Sequence, residues 1–134
     1  MNKKLYELSI IGVDKDGITK DDAFPHAYRY PFKLSEEPDE LWINLFEQAT
    51  KYSFDSMKRR AYVEGDCIVV IIADSDNISD QKRIAEQAIQ RTNQEYKRIY
   101  QELQRVEQQQ RDVEKKRDDT IEKLKRDADN LKFD

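Results

Sequence analysis

The chain contains one cysteine, Cys67, so no internal disulfide can form. A lone thiol inside an apolar run points to a reducing compartment, and a cytoplasmic protein is expected. One histidine, His26, leaves no cysteine–histidine set with metal-ligand spacing. Three glycines are too few and too scattered for a phosphate-cradling loop. No apolar run approaches the ~18 residues of a membrane helix. The opening Met1-Asn2-Lys3-Lys4-Leu5 lacks the continuous apolar stretch and small-residue cleavage site of a signal peptide. From Ser79 to Leu131 glycine and proline are both absent.

What is present is charge, unevenly placed. Charged residues make up 39% of the 134 and apolar ones only 37%, against the larger apolar share of an ordinary globular domain. Residues 1–80 carry ten Lys/Arg and sixteen Asp/Glu, and residues 81–134 carry fourteen and twelve. The single tryptophan, all three prolines and every phenylalanine except Phe133 lie in the first part. Core-forming residues are therefore concentrated in residues 1–80. The overall acidity argues against a dedicated nucleic-acid binder, whose signature is a basic excess on one face.

Leu5–Val13 reads as a strand with Tyr6, Leu8 and Ile10 on one face. It ends at the turn residues Asp14-Lys15-Asp16-Gly17, and a polar loop follows. These residues resemble part of a calcium loop, but the outer ligand positions fall on Gly12 and Ala23 and the match fails. Ala27–Leu34 alternates cleanly, with Tyr28, Tyr30, Phe32 and Leu34 on one side. Pro31 cannot donate to a ladder, so an edge strand is expected. Ser35-Glu36-Glu37-Pro38 opens a helix whose apolar face is Leu41, Trp42, Leu45, Phe46 and Ala49. Lys58–Glu64 and Cys67–Ala73 form a hairpin around Gly65-Asp66. The second of these strands is apolar on both faces, so both need cover, one from a helix layer and the other from elsewhere, with another chain as a candidate.

Asn77 or Ser79 caps the last helix. Unbroken to Leu131 it would reach roughly 80 Å, far beyond a head whose radius of gyration is near ~13 Å. Its first turns carry a broad stripe of Ile84, Ala88, Ile89, Thr92, Tyr96, Ile99, Tyr100 and Leu103, suited to covering a sheet. Beyond, the stripe narrows to a heptad seam of Leu103, Val106, Gln110, Val113 and Arg117. A step of four then restarts it at Ile121, Leu124, Ala128 and Leu131, and such a stutter locally unwinds a coiled coil. Glu107 with Arg111, Asp112 with Lys116, Asp119 with Lys123 and Glu122 with Arg126 have four-residue spacing. Each such pair contributes ~0.2–0.5 kcal/mol, against ~1.5–3 kcal/mol for burying one seam leucine. The seam, not the pairs, decides association.

Chemistry-bearing sites are sparse. Cys67 has only apolar neighbours and no base, so a core role is expected. Asp74 and Asp76 follow the most apolar strand, where carboxylates can hold magnesium. No lysine, histidine or glycine loop accompanies them, and capping explains them. Lys58, Arg59 and Arg60 form the one dense basic cluster of the head, and with Tyr62 they suit single-stranded nucleic acid. Charges that block sheet-edge pairing explain them equally.

The sequence therefore predicts an α+β fold. A four-stranded, mainly antiparallel sheet in the order ββαββα would be joined by one short helix and a very long C-terminal helix projecting as a coiled-coil-like arm. Residues 1–104 would form the head and 105–134 the arm. The expected function is that of a non-enzymatic interaction or assembly protein without cofactor or metal. Its arm would bind a protein partner, either a second copy or a helical segment of a larger complex. A nucleic-acid-binding accessory role through Lys58–Arg60 and Arg105, Arg111, Lys115 and Lys116 is the alternative, and no membrane partner is expected.

Overall fold

A computed structural model of the chain describes residues 5–55 and 61–133. The fold is α+β: an antiparallel sheet, one short helix and a long C-terminal helix. In chain order the elements are β1 (Ile10–Val13), β2 (Thr19–Asp21), β3 (Ala27–Leu34), α1 (Glu40–Asp55), β4 (Ala61–Glu64), β5 (Cys67–Ala73) and α2 (Ile78–Asp129). The sheet runs β1-β3-β5-β4, and β2 also pairs with β3. A fifth strand, β2, thus stands where the sequence suggested a polar loop. At three residues it is too short to display the alternation that marks a strand.

The place of β3 corrects the edge-strand expectation. It lies inside the sheet, flanked by β5 on one side and by β1 and β2 on the other. Pro31 is tolerated there because the ladder on its side is broken. Val13 pairs with Phe32 and Thr19 with Arg29, and between them Lys15–Gly17 forms a 3-10 turn. The Pro31 carbonyl accepts from Asp14 N at 3.0 Å. A strand residue's carbonyl and amide nitrogen point to the same side, so the missing N–H also faces this gap. Gly17 sits against the ring, and an added Cβ would lie 2.9 Å from Pro31 Cγ. β1 and β2 act as one edge, interrupted where proline has no donor to offer.

β4 and β5 form the expected hairpin, with Glu64 opposite Cys67. Gly65 has φ +61° and Asp66 does not share the positive sign, as a two-residue type II′ turn requires. β5 is buried on both faces. Ile68, Val70 and Ile72 face the helices, packed with Phe32, Leu34, Trp42, Phe46, Ala85, Ala88, Ile89 and Tyr96. Val69 and Ile71 on the opposite face are each only 2% exposed. Ala27, Phe24 and Tyr62 pack against them, so this chain itself covers the face for which another chain had been considered.

Helix α1 begins at Glu40, later than the Ser35–Pro38 stretch, because Asp39 is its cap. Asp39 Oδ1 accepts from Trp42 N at 2.8 Å, and its Oδ2 accepts from the Tyr96 hydroxyl at 2.7 Å. One carboxylate thereby starts α1 and fixes α2 against it. Trp42 stacks on Phe46 with centroids 5.4 Å apart.

The stretch before β1 is held by a side chain, not by a strand. Asn93 Oδ1 accepts from Leu8 N at 3.1 Å and from Trp42 Nε1 at 2.9 Å, while its Nδ2 donates to Leu8 O at 2.8 Å. The amide of Asn93 imitates a neighbouring peptide. It satisfies Leu8 (3% exposed) where β3 has already ended. This shortens the strand expected over Leu5–Val13 to Ile10–Val13 but leaves Leu8 facing the core. Ser9 O accepts from Ser35 N at 2.8 Å, closing the end of that edge.

Asn77 caps α2 by accepting from Asp80 N at 3.2 Å. Gln81, Ala85, Ala88, Ile89, Thr92 and Tyr96 are its buried positions. The helix ends at Asp129, so Leu131, expected within it, lies past its end. Asn130 N and Leu131 N donate to Asp127 O and Ala128 O at 3.2 and 3.1 Å, a tightened last turn. The chain forms two compact units, Met1–Arg98 and Ile99–Asp134, and α2 contributes to both.

Candidate interaction surface

The seam residues fall in the second unit. Residues 101–133 are all exposed. Leu103, Val106, Val113, Ile121 and Leu124 are 39%, 38%, 63%, 43% and 61% exposed. At ~100° per residue these five, with Gln110, Arg117 and Ala128, fall within an arc of about 80°. From Leu103 to Ile121 is 18 residues, five turns at ~3.6 residues each. One heptad and one eleven-residue step together therefore keep the stripe parallel to the helix axis. Left-handed drift from the first is cancelled by right-handed drift from the second. Leu131, the ninth seam position, is 61% exposed and outside the regular helix.

Charge on this stretch is arranged differently from the four-residue pairs expected. Ion pairs there include Arg105 with Glu102 and Lys125 with Glu122 (3.9 Å), each three residues apart. Glu122 thus turns to Lys125 instead of Arg126. Arg111 donates to Gln108 at 2.9 Å, and Gln108 donates to Asp112 at 3.0 Å. Long side chains with several rotamers choose among neighbours at three and four residues, and the glutamines supply extra partners. The hydrogen bond to Glu102 raises the Arg105 guanidinium pKa further above its ordinary value, and the charge of Glu102 adds to that.

In the first unit, Lys58, Arg59 and Arg60 lie outside the described residues. On β3, Arg29 pairs with Glu64. Its guanidinium carbon lies 6.0 Å from the Tyr62 ring centroid. The arginine reaches over the outer face of β5 and helps exclude water from Val69 and Ile71. Its pKa is raised, first by Tyr62 and less by Glu64 and Asp21, with burial opposing. The partner Glu64 was not singled out in the sequence. Only the fold brings β3 and β4 to the two sides of β5, so residues 35 apart gave no local signal.

The remaining candidates have structural partners. Asp76 Oδ2 accepts from Ala73 N at 2.7 Å, closing the turn into α2. Asp74 lies 3.7 Å from His26 in an exposed pair. Cys67 is buried, and its Sγ lies 3.6 Å from Asp66 Oδ1. Burial, then Asp66, push the thiol pKa up, which disfavours the thiolate a nucleophile needs. Among the described residues no group of three or more His, Cys, Asp or Glu is placed to hold a metal ion. No described helix is long and apolar enough to cross a membrane. No family model, curated protein or solved structure matches the chain.

Proposed function

We propose that this is an interaction or assembly protein whose long helix docks, along Leu103, Val106, Gln110, Val113, Arg117, Ile121, Leu124 and Ala128, onto a partner helix bearing its own apolar ridge. The observation that carries the reading is the alignment of five exposed aliphatic side chains, Leu103, Val106, Val113, Ile121 and Leu124, on one face of the exposed part of α2, whose other faces there are polar and charged. Scattered exposed apolar residues need no explanation, but a contiguous stripe with polar margins marks an association site. Gln110 and Arg117 within the stripe set register at some cost in stability, as single polar seam residues do. In this reading the first unit is a separate binding module.

The nucleic-acid alternative draws less support. Arg105 and Arg111 already engage Glu102 and Gln108 on their own helix. At ~100° per residue the four span an arc of about 140°, but Asp112, Asp119 and Glu122 fall within the same arc, so acidic and basic side chains are mixed on it.

The test is sedimentation of the full chain beside a variant carrying both Ile121→Lys and Leu124→Lys, followed by lysine-independent photo-crosslinking from Gln109 in extracts of its source cell. Association or a discrete crosslinked species that the double substitution abolishes is the expected result. Species that form equally well with both lysines in place would overturn the reading, as would none in either experiment.

A further inference from the structure

The seam is a palindrome. Val113 and Ile121 lie four residues to either side of Arg117, Gln110 and Leu124 seven, Val106 and Ala128 eleven, and Leu103 and Leu131 fourteen. The four-residue steps on both sides of Arg117 centre this symmetry on a residue, whereas an unbroken heptad repeat is symmetric only about points midway between seam residues. An isologous contact needs a surface that matches itself when rotated by two-fold symmetry. Resting on the helix-docking reading above, we propose that the partner is a second copy of this chain, its helix antiparallel, with the two-fold axis at Arg117.

In that arrangement Val113 meets Ile121 of the second copy, Val106 meets Ala128, and Gln110 meets Leu124. Because the stripe runs parallel to the axis over 18 residues, the two helices pack with little supercoil and the match holds along the whole contact. Gln110 faces that leucine at some cost in stability, as a single polar seam residue does.

The flanking charges choose the direction. Antiparallel pairing sets Glu107 beside Lys125 of the second copy, twice by symmetry. At the axis the two Arg117 guanidiniums stand beside Glu114 and Asp118 of both copies, so their mutual repulsion is offset by carboxylates. A parallel pair in register instead sets Glu102 against Glu107 twice. Like charges across a helix interface are unfavourable and select against that alternative.

Opposite outcomes separate the two directions. In the full chain at low ionic strength, Glu107→Lys is expected to raise the dimer dissociation constant about five-fold, two pairs turning from attraction to repulsion. Glu107→Lys with Lys125→Glu should restore it. A parallel pair predicts the reverse, since Glu107→Lys would then face Glu102 and tighten the dimer. Independently, Val106→Cys and Ala128→Cys chains, each with Cys67→Ala, are mixed under mild oxidation. The mixed disulfide should predominate over Val106→Cys self-dimers. If Cys67→Ala impairs folding by circular dichroism, the charge series on the native cysteine decides alone. A chain that sediments as a monomer at submillimolar concentration overturns the second copy but leaves docking to a different protein intact. Tightening by Glu107→Lys, or predominant Val106→Cys self-dimers, keeps the dimer and overturns the antiparallel axis.

Discussion

Replacing Asn93 by alanine isolates the contribution of one side chain that holds three elements together. Its amide accepts from Leu8 N and Trp42 Nε1 and donates to Leu8 O, at 3.1, 2.9 and 2.8 Å. A made hydrogen bond contributes ~1 kcal/mol net, whereas a buried polar atom left without a partner costs ~1–3 kcal/mol. Trp42 is 0% exposed, so its indole N–H cannot recover a water without opening the core. Leu8 is part of a frayed edge, and its peptide can regain solvent at lower cost. One stranded donor at ~2 kcal/mol plus two partly recovered bonds gives a loss of about 3 kcal/mol. For a domain of this size that lowers the melting temperature by roughly 12–20 °C. Denaturant unfolding followed by fluorescence of the single tryptophan reads the same event at the affected group. Asn93→Asp keeps both acceptors, so it should fall between the two but lose the bond to Leu8 O. A loss for Asn93→Ala below ~1 kcal/mol would refute the argument that this amide is the sole partner of the Trp42 N–H.

Three further outcomes follow from local geometry. Gly17→Ala should destabilise by ~1–3 kcal/mol, since its Cβ would meet the Pro31 ring and the Asp14 carboxylate at 2.9 Å; Gly12→Ala, with nothing within 4 Å, should be neutral or slightly stabilising in the same melt. His26 has φ +63° after Pro25, in a turn closed by Ala27 N to Phe24 O at 3.2 Å. His26→Gly should therefore stabilise by up to ~1 kcal/mol while His26→Val loses more than that, and equal melting of the two would contradict it. The Cys67 pKa is raised above its ordinary 9.0 by burial and then by Asp66. Its contribution to stability is thus full below the unfolded pKa and is lost as pH rises beyond it, because only the unfolded chain releases the proton freely. Stability should fall more steeply from pH ~8 to ~10 in the native chain than in Cys67→Ala, and parallel declines would show that the thiol is not the cause.

The legible parts of the fold were those set by residues near each other in the chain. The hairpin at Gly65-Asp66, the two-faced apolar strand β5, the Asn77 cap and the apolar face of α1 all follow from period and turn chemistry. Pro31 misled because a missing N–H argues for an edge only if the neighbouring ladder is continuous. Here the 3-10 turn at Lys15–Gly17 opens a gap opposite it. The Leu5–Ser9 stretch misled because its alternation is real, but its hydrogen-bond partner is Asn93, 85 residues away. Leu131 keeps the seam spacing yet lies beyond Asp129, since periodicity reports facing and not where the helix ends. The alignment of Leu103, Val106, Val113, Ile121 and Leu124 on one helix face follows from a local period. Arg29 with Glu64 was not legible, because that pair depends on strand order.

The two stripes on α2 obey different energetics. Through Arg98 the buried set is broad and includes threonine and glutamine, with Thr92 bonded to Ala88 O at 2.8 Å, because a sheet covers it. From Ile99 the ridge is one residue wide at each turn, too narrow to nucleate structure by burial. Order there comes from the helix itself. Its residues include no glycine or proline, most are strong helix formers, and pairs three residues apart each add a few tenths of a kcal/mol. Isolated helices shorter than ~12–15 residues are marginal in water, and the stretch from Ile99 to Asp129 is about twice that length. On the proposed docking, a partner helix would meet a surface already fixed, so little of the binding energy would go to ordering backbone. Val106, Val113, Ile121 and Leu124 would then suffice where a disordered segment would need a larger apolar face.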